Sequence, residues 1–469
     1  MTHEYEIPVV RVTRRHPVVL VIGITTVLTL AVIRHAWYID KWQHYRLITI
    51  FWTVSFAITT TQWIVSWREK PFTASIAEQE QLDRMKVTVN IPVYNEEPEV
   101  LDRVLYALFR QSRLPDRVQV VDDGSKTDYD EVRNYWLEHC PASVDFSWYR
   151  QANTGKKRAQ ARTFNGDNAD VFITLDSDTT LARDSIAEGI KPFADPRVNS
   201  VAGIELAWNY GNSLLTRLKG VNALIWQFTT CSAQSAAGGQ VIVNRGTFAL
   251  YRGDMIRDTL DSYIGETFLG RPVMLGDDTM LTLFALGRGR AVQQVSAMCF
   301  AIYPETLSHT LRQWIRWMRG TSLRTLWRVR YLPLSSWSYW YTLLTTWGYL
   351  AFISVLVSIA ADWPHSRSFS LTALYISAVW TWIVATRMFA VSRSDQRWLD
   401  KAEAFALVPI ALLWLTLVLR PMRLYGTVTV HNQGWVTRKR GAETRTAEDM
   451  VRSLPENQAL SLAGERSLP

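Results

Sequence analysis

The sequence predicts a soluble α/β domain inserted between membrane-spanning helices, the plan of an integral membrane protein. Three observations carry that prediction. Apolar runs of spanning length lie on both sides of a central region, at 18–33 and 47–67 and again at 337–361 and 371–391. Between them, short β-rich runs at 87–93, 118–121, 144–148 and 171–175 alternate with helical or loop segments, the pattern of a mostly parallel sheet. Composition agrees: the 469 residues are 48% hydrophobic with 21 tryptophans, and the net charge of +8 gathers beside the apolar runs. That placement suits a membrane with basic cytoplasmic flanks and argues against a nucleic-acid partner. Cys140, Cys231 and Cys299 form neither a disulfide framework nor a zinc spacing.

Taken in order, residues 1–17 are a basic cytoplasmic N-terminus carrying Arg11, Arg14 and Arg15. A transmembrane hairpin follows over 18–70; Arg68 and Lys70 return its second end to the cytoplasm, and Trp37, Tyr38, Trp42 and Tyr45 form an aromatic belt on the far side. The α/β domain occupies 71–306. Residues 307–336, dense in arginine and tryptophan, read as an amphipathic element on the membrane surface. A second hairpin spans 337–391 with a polar turn at Pro364. In the next part, 392–433, the apolar stretch 402–419 is expected to be interfacial or re-entrant and broken at Pro421, because a full crossing would put Arg438, Lys439 and Arg440 outside. The last part, 434–469, holds a loop and a polar tail.

Chemistry concentrates where the predicted strands end, which is where open α/β sheets bind ligands. The run FITLDSDTTL delivers Asp176 and Asp178 to one side of an extended chain, a suitable place for a hard divalent cation, Mg²⁺ or Mn²⁺. Earlier strands end in IPVYNEE, with Tyr94 and Glu96, and in VVDDGSKT, with Asp123. The loop NTGKKRAQ sets a glycine beside Lys156 and Lys157, which suits a diphosphate. Asp277 and Asp278 in LGDDTMLT precede a helix; paired carboxylates raise one another's pKa, so one can act as a general base. Gln313, Arg316 and Trp317 share one helical face. Neither a GxGxxG nor a Walker-type loop follows the first strand.

Each motif alone also fits a turn or a helix cap. In series, VYNE, VDDGS, GKK, DSD, GDD and QxxRW resemble the processive branch of the inverting family 2 glycosyltransferases over about 87–320, nearest to the hyaluronan synthases. Chitin-oligosaccharide and poly-N-acetylglucosamine synthases are close behind. The stretch GGQVIVNRGTFALYR resembles the family's acceptor-side segment, and GWVTR resembles its gating loop. Asn244, Arg245, Gly246 and Thr247 depart from the family's serine- or cysteine-glycine-proline, and RWMRGT departs from RWxKS.

The resemblance implies a GT-A-type domain at the cytoplasmic face of the cell membrane, in a multi-pass protein. A UDP-sugar would be the donor, a growing β-linked polysaccharide the acceptor, and Mg²⁺ or Mn²⁺ the cofactor. It places Tyr94, Glu96 and Asp123 at the uridine, Lys156 at the diphosphate, Asp176 at the ribose or donor sugar and Asp178 at the metal. Asp278, with Asp277 beside it, becomes the catalytic base. Arg316 holds the diphosphate and Trp317 the acceptor end, with Gln313 assisting, while Trp435 and Arg438 close over the nucleotide. The alternatives are a chitin or poly-N-acetylglucosamine type of synthase and a non-processive transferase acting on a lipid-linked acceptor.

Overall fold

The computed structural model describes residues 4–14, 17–37, 46–361 and 363–432. The predicted loop with Trp435 and Arg438, the tail, and Tyr38, Trp42 and Tyr45 of the expected belt lie outside them.

The four predicted strands form as β1 (Val87–Val93), β2 (Arg117–Asp122), β3 (Asp145–Arg150) and β4 (Val171–Leu175). Their β-branched and aromatic residues suit a pleated surface, and all of β4 and nearly all of β1 is buried, as a sheet covered on both faces requires. Four more strands complete an eight-stranded sheet: β5 (Thr179–Leu181), β6 (Val198–Ala207), β7 (Phe248–Arg252) and β8 (Arg290–Ala301). The spatial order is β3-β2-β1-β4-β7-β6-β8-β5.

The sheet is mostly parallel, as expected, with two of its eight strands reversed. Strands β1 to β4 pair in parallel, as do β6 and β8, but β7 enters antiparallel to both β4 and β6, and β5 is antiparallel to β8. Direction is a property of the connection rather than of strand composition. The consequence is local to the site, because β7 carries the segment before it, Asn244 to Thr247, to the end of β4 and alongside β6.

Helices stand at the apolar runs: α1 (Val18–Trp37) and α2 (Arg46–Ser66) before the domain, then α6 (Trp337–Ala361) and α7 (Trp363–Ala385) after it. Within the domain, α3 (Lys156–Phe164) and α4 (Asp277–Arg288) start at the predicted GKK and GDD motifs. The basic helix is a single 25-residue element, α5 (Leu307–Tyr331). Pro364 does not sit in a turn, as expected. It lies in the first turn of α7, where its missing N–H costs nothing.

Residues 402–419 also differ from expectation. A short helix (Trp398–Ala406) leads into α8 (Val408–Val428), which runs through Pro421 without a break. The turn before the proline is a π-helix (Leu415–Leu419), whose extra residue accommodates the ring. Near its start α8 touches the catalytic domain, where Asn222 donates to the Ala411 carbonyl at 3.2 Å; from its middle onward it meets α5, with Trp314 Nε1 donating to the Leu419 carbonyl at 2.7 Å and Arg319 Nε to Thr429 Oγ1, just past its end, at 3.0 Å. Among the described residues, 371–390 and 408–428 are long and apolar enough to cross a membrane.

A two-stranded ribbon pairs Val12–Arg14 with Val391–Arg393. It places the N-terminal segment and the exit of α7 side by side.

Candidate active site

Four backbone turns and one helix build the site at the open end of the sheet. At the end of β2, Asp123 is buried and accepts from the Gly155 amide at 2.7 Å, the Thr154 amide at 2.9 Å and Gln151 Nε2 at 2.8 Å. The residue expected at the uridine is thus a carboxylate that also holds the NTGK loop through its Thr154 and Gly155 amides. Gly155 adopts φ +91°, a region that favours glycine, and a Cβ there would lie 2.3 Å from Met274 Cε. Lys156 follows as the first residue of α3.

Glu96 is similarly enclosed. Its carboxylate accepts from Ser177 Oγ at 3.2 Å and from the Glu97 amide at 3.2 Å, and so ties the end of β1 to the DSD turn. Tyr94 is half-buried at the same strand end.

The centre is an ion cluster drawn from three motifs. Lys156 Nζ lies 2.6 Å from Asp176 Oδ1 and 3.4 Å from Asp277 Oδ2. Although burial works against its charge, these carboxylates, Asp176 foremost, raise the Lys156 pKa and hold it protonated. Gly246 closes the ring: a Cβ added to it would sit 3.0 Å from Lys156 Nζ and 3.7 Å from the Asp278 Cβ. That accounts for a small residue in the departed acceptor segment.

Asp277 and Asp278 open α4, where helix dipole and free amides favour negative charge. Burial opposes ionisation of Asp277, but Lys156 and the turn amides outweigh it and hold its carboxyl below the usual range. Asp278 goes the other way. Burial, with the Asp277 charge adding to it, pushes its carboxyl up to about 6, against Lys156 and the two amides it accepts, Thr279 at 2.6 Å and Gly246 at 3.2 Å. A carboxylate poised there is a serviceable base near neutral pH.

Helix α5 supplies the far wall. Arg316 carries its charge toward Asp176 and Asp277. Gln313 is buried and accepts from Lys219, whose ammonium also stands 5.0 Å from the Trp317 ring and 4.4 Å from that of Tyr303. Trp317 is 41% exposed, with Trp314 edge-on at 6.2 Å.

A divalent cation fits this arrangement. Asp178 is a half-buried carboxylate one turn from Asp176, whose own oxygen is engaged by Lys156. Among the described residues no three histidine, cysteine or acidic side chains converge on one point. A hard cation that arrives with a diphosphate needs only one or two carboxylates, and Asp178 is the carboxylate here that would hold it.

The structure therefore brings Lys156, Asp176, Asp277, Asp278 and Arg316 together, sets Asp178, Gln313 and Trp317 around them, and gives Asp123 and Glu96 supporting positions. Sequence reading missed Gly246, Lys219, Glu266 and Arg324. Only Gly246 left a signal, as a departure from the family's pattern.

A largely parallel sheet with acidic residues clustered at its strand ends around Lys156 is the setting for the similarities to known proteins. Residues 171–384 match the family described as Glycosyl transferase family group 2. The hyaluronan synthase of Streptococcus pyogenes serotype M1 is 31% identical over 366 residues, which cover 76% of this chain and 84% of that protein. An N-acetylglucosaminyltransferase of Rhizobium leguminosarum bv. viciae is 30% identical over 368 residues, 75% of this chain and 81% of that one. A mannosyltransferase from Pyrobaculum calidifontis, solved with GDP-mannose and Mn²⁺, shares the fold at 18% identity with a TM-score of 0.50, covering 88% of this chain and 99% of that chain. The chain belongs to the family 2 glycosyltransferases and is a UDP-sugar-dependent transferase of GT-A-like fold.

Proposed function

We propose that the protein is a membrane-embedded, processive polysaccharide synthase of the hyaluronan synthase type, which adds sugars from UDP donors to a β-linked chain with inversion and exports it. The observation that supports this is the cluster of Lys156, Asp176, Asp277 and Asp278 facing Arg316 of α5, whose neighbour Trp317 is exposed. A base opposite the diphosphate serves a direct displacement; an exposed indole serves an acceptor that stays bound between additions.

The steps belong to the side chains described. Asp278 takes the proton of the acceptor hydroxyl as its oxygen attacks the donor's anomeric carbon, and UDP departs. Lys156 and Arg316 stabilise the charge that develops on the leaving diphosphate. When bound, Mg²⁺ or Mn²⁺ supplies Lewis-acid stabilisation of that same charge, with Asp178 as its protein ligand. Because one displacement inverts the centre, no second nucleophilic carboxylate is required. Asp176 keeps Lys156 in place and faces the donor sugar.

The membrane placement in this reading is supported by one feature of the packing. The ribbon of Val12–Arg14 with Val391–Arg393 supports an N-terminus and an α7 exit on one side, the cytoplasmic side. Helices α1, α2, α6 and α7 span, and α8 rests on the surface against α5. Polymer hydroxyls would lose their partners in hydrocarbon, so the spans serve as a path for the chain.

The test supplies UDP-sugars singly and in pairs to purified protein in proteoliposomes, sizes the polymer and digests it with a hyaluronan lyase. Long, lyase-sensitive polymer only from UDP-glucuronate with UDP-N-acetylglucosamine is expected. Polymer from UDP-N-acetylglucosamine alone would favour the chitin type, which the rhizobial similarity supports, and single additions would refute processivity. A chelator should abolish activity, and Mn²⁺ should restore it in the wild type but not in Asp178→Ala.

A further inference from the structure

Outside the motifs, a well-connected buried charge in the domain is Glu266, on the segment between Tyr263 and the GDD turn. Its side chain is 4% exposed. Lys157 Nζ donates to it at 2.7 Å, Arg324 Nη2 at 2.9 Å with the other guanidinium nitrogen also bound, and Trp327 Nε1 at 2.9 Å. Burial opposes charge on Glu266, yet Arg324 and Lys157 hold its carboxyl below the ordinary range.

The donors come from two parts of the site. Lys157 is the neighbour of Lys156 at the start of α3. Arg324 and Trp327 lie on α5, beyond Arg316 and Trp317. Arg324, fully buried, also donates Nε to the Gly276 carbonyl at 3.2 Å and Nη2 to the Leu275 carbonyl at 3.1 Å, the two carbonyls just ahead of Asp277 and Asp278. The same segment is fixed to Glu266 through the Val273 amide, which donates to its carbonyl at 3.0 Å. Close approach of α5 to this turn rests on two glycines: a Cβ on Gly320 would lie 3.4 Å from the Gly276 nitrogen, and Gly276 itself has φ +69°.

We propose that Glu266 is a positioning residue, whose carboxylate locks the start of α3, the GDD turn and α5 into one register through Lys157, Arg324 and Trp327. The carboxylate bonds α3 and α5 directly, with two cations and an indole N–H, and reaches the GDD turn through Arg324. Its effect is to hold Lys156, Asp278 and Arg316 at fixed separations. The inference rests on the transferase reading above.

The experiment measures UDP release by purified full-length protein, per site counted by UDP binding, for the wild type, Glu266→Gln, Glu266→Ala and Arg324→Lys. Misplacement of reacting groups by about 1 Å costs up to roughly 100-fold, so kcat should fall about 10- to 100-fold with donor KM within about threefold. Glu266→Gln, which keeps one acceptor oxygen, should recover part of what Glu266→Ala loses. If alanine prevents folding, the glutamine and Arg324→Lys variants carry the test. Wild-type kcat per folded site in both, with only the melting temperature lowered, would overturn the assignment, as would a loss confined to KM. Failure of the functional reading itself looks different: no UDP release by the wild type.

Discussion

Two Asp-Asp pairs stand in this domain, one at the end of β2 and one at the start of α4, and they are used in opposite ways. Asp123 is surrounded by donors, with the Thr154 and Gly155 amides and Gln151 all directed at it. Asp278 accepts two amides, stands beside a second carboxylate, and is pushed up to about 6. A saturated carboxylate builds a loop; one short of compensation is left able to take a proton. The comparison teaches that an acidic motif's role is decided by how many donors the fold turns toward it.

Breaking the reactive member should have the largest effect. Asp278→Asn keeps size and a polar head but cannot accept the acceptor's proton, so kcat should fall on the order of 10²- to 10⁴-fold. Calorimetry should find UDP affinity within about threefold of wild type, since removal of a base leaves ground-state binding intact. Retained polymer synthesis would show that the base lies elsewhere.

Breaking the structural member should act on binding. Asp123→Asn turns one acceptor oxygen into a donor that faces backbone amides, and an unsatisfied buried group costs about 1–3 kcal/mol. Lys156 adjoins that loop, so UDP affinity should weaken by about tenfold, the equivalent of 1.4 kcal/mol. A variant with wild-type affinity would mean the loop holds its shape without this carboxylate.

The contrast also has a pH signature. Asp278 must be ionised to accept a proton; its folded pKa is raised, so the active form is present above about pH 6 and is lost as pH falls through it. Well below that value kcat should drop about tenfold per pH unit. The facing groups that set this limb are Asp277, which raises it, and Lys156, which lowers it; Arg328 on α5 is a third charge in range. A limb near pH 4 in the profile of kcat would say that the base is an unperturbed carboxylate.

How much of this was legible in the sequence depended on distance along the chain. Strands β1 to β4 could be read because each is a local run of β-formers closed by Asp, Asn or Gly. The central cluster could be read because the order of six motifs is itself information. Glu266 could not: its partners lie 58 and 109 residues away in Arg324 and Lys157, and only folding turns an ordinary Gly-Glu-Thr into a buried hub. The antiparallel entry of β7 was hidden for the same reason, since no local pattern records a strand's direction. Pro421 misled in the opposite sense, because a π turn lets a helix pass a proline that composition alone marks as a stop.

That π turn gives the smallest of these effects. Trp314 Nε1 donates to the Leu419 carbonyl at 2.7 Å, where the turn hands over to the last segment of α8. Trp314→Phe keeps an aromatic ring beside Trp317 and removes only the donor. A single neutral hydrogen bond contributes about 0.5–1.5 kcal/mol, so the melting temperature should fall by a few degrees while kcat stays near wild type. If kcat falls with little change in melting temperature, the bond does more than join two helices. It would then set the angle at which α5 presents Trp317 to the acceptor.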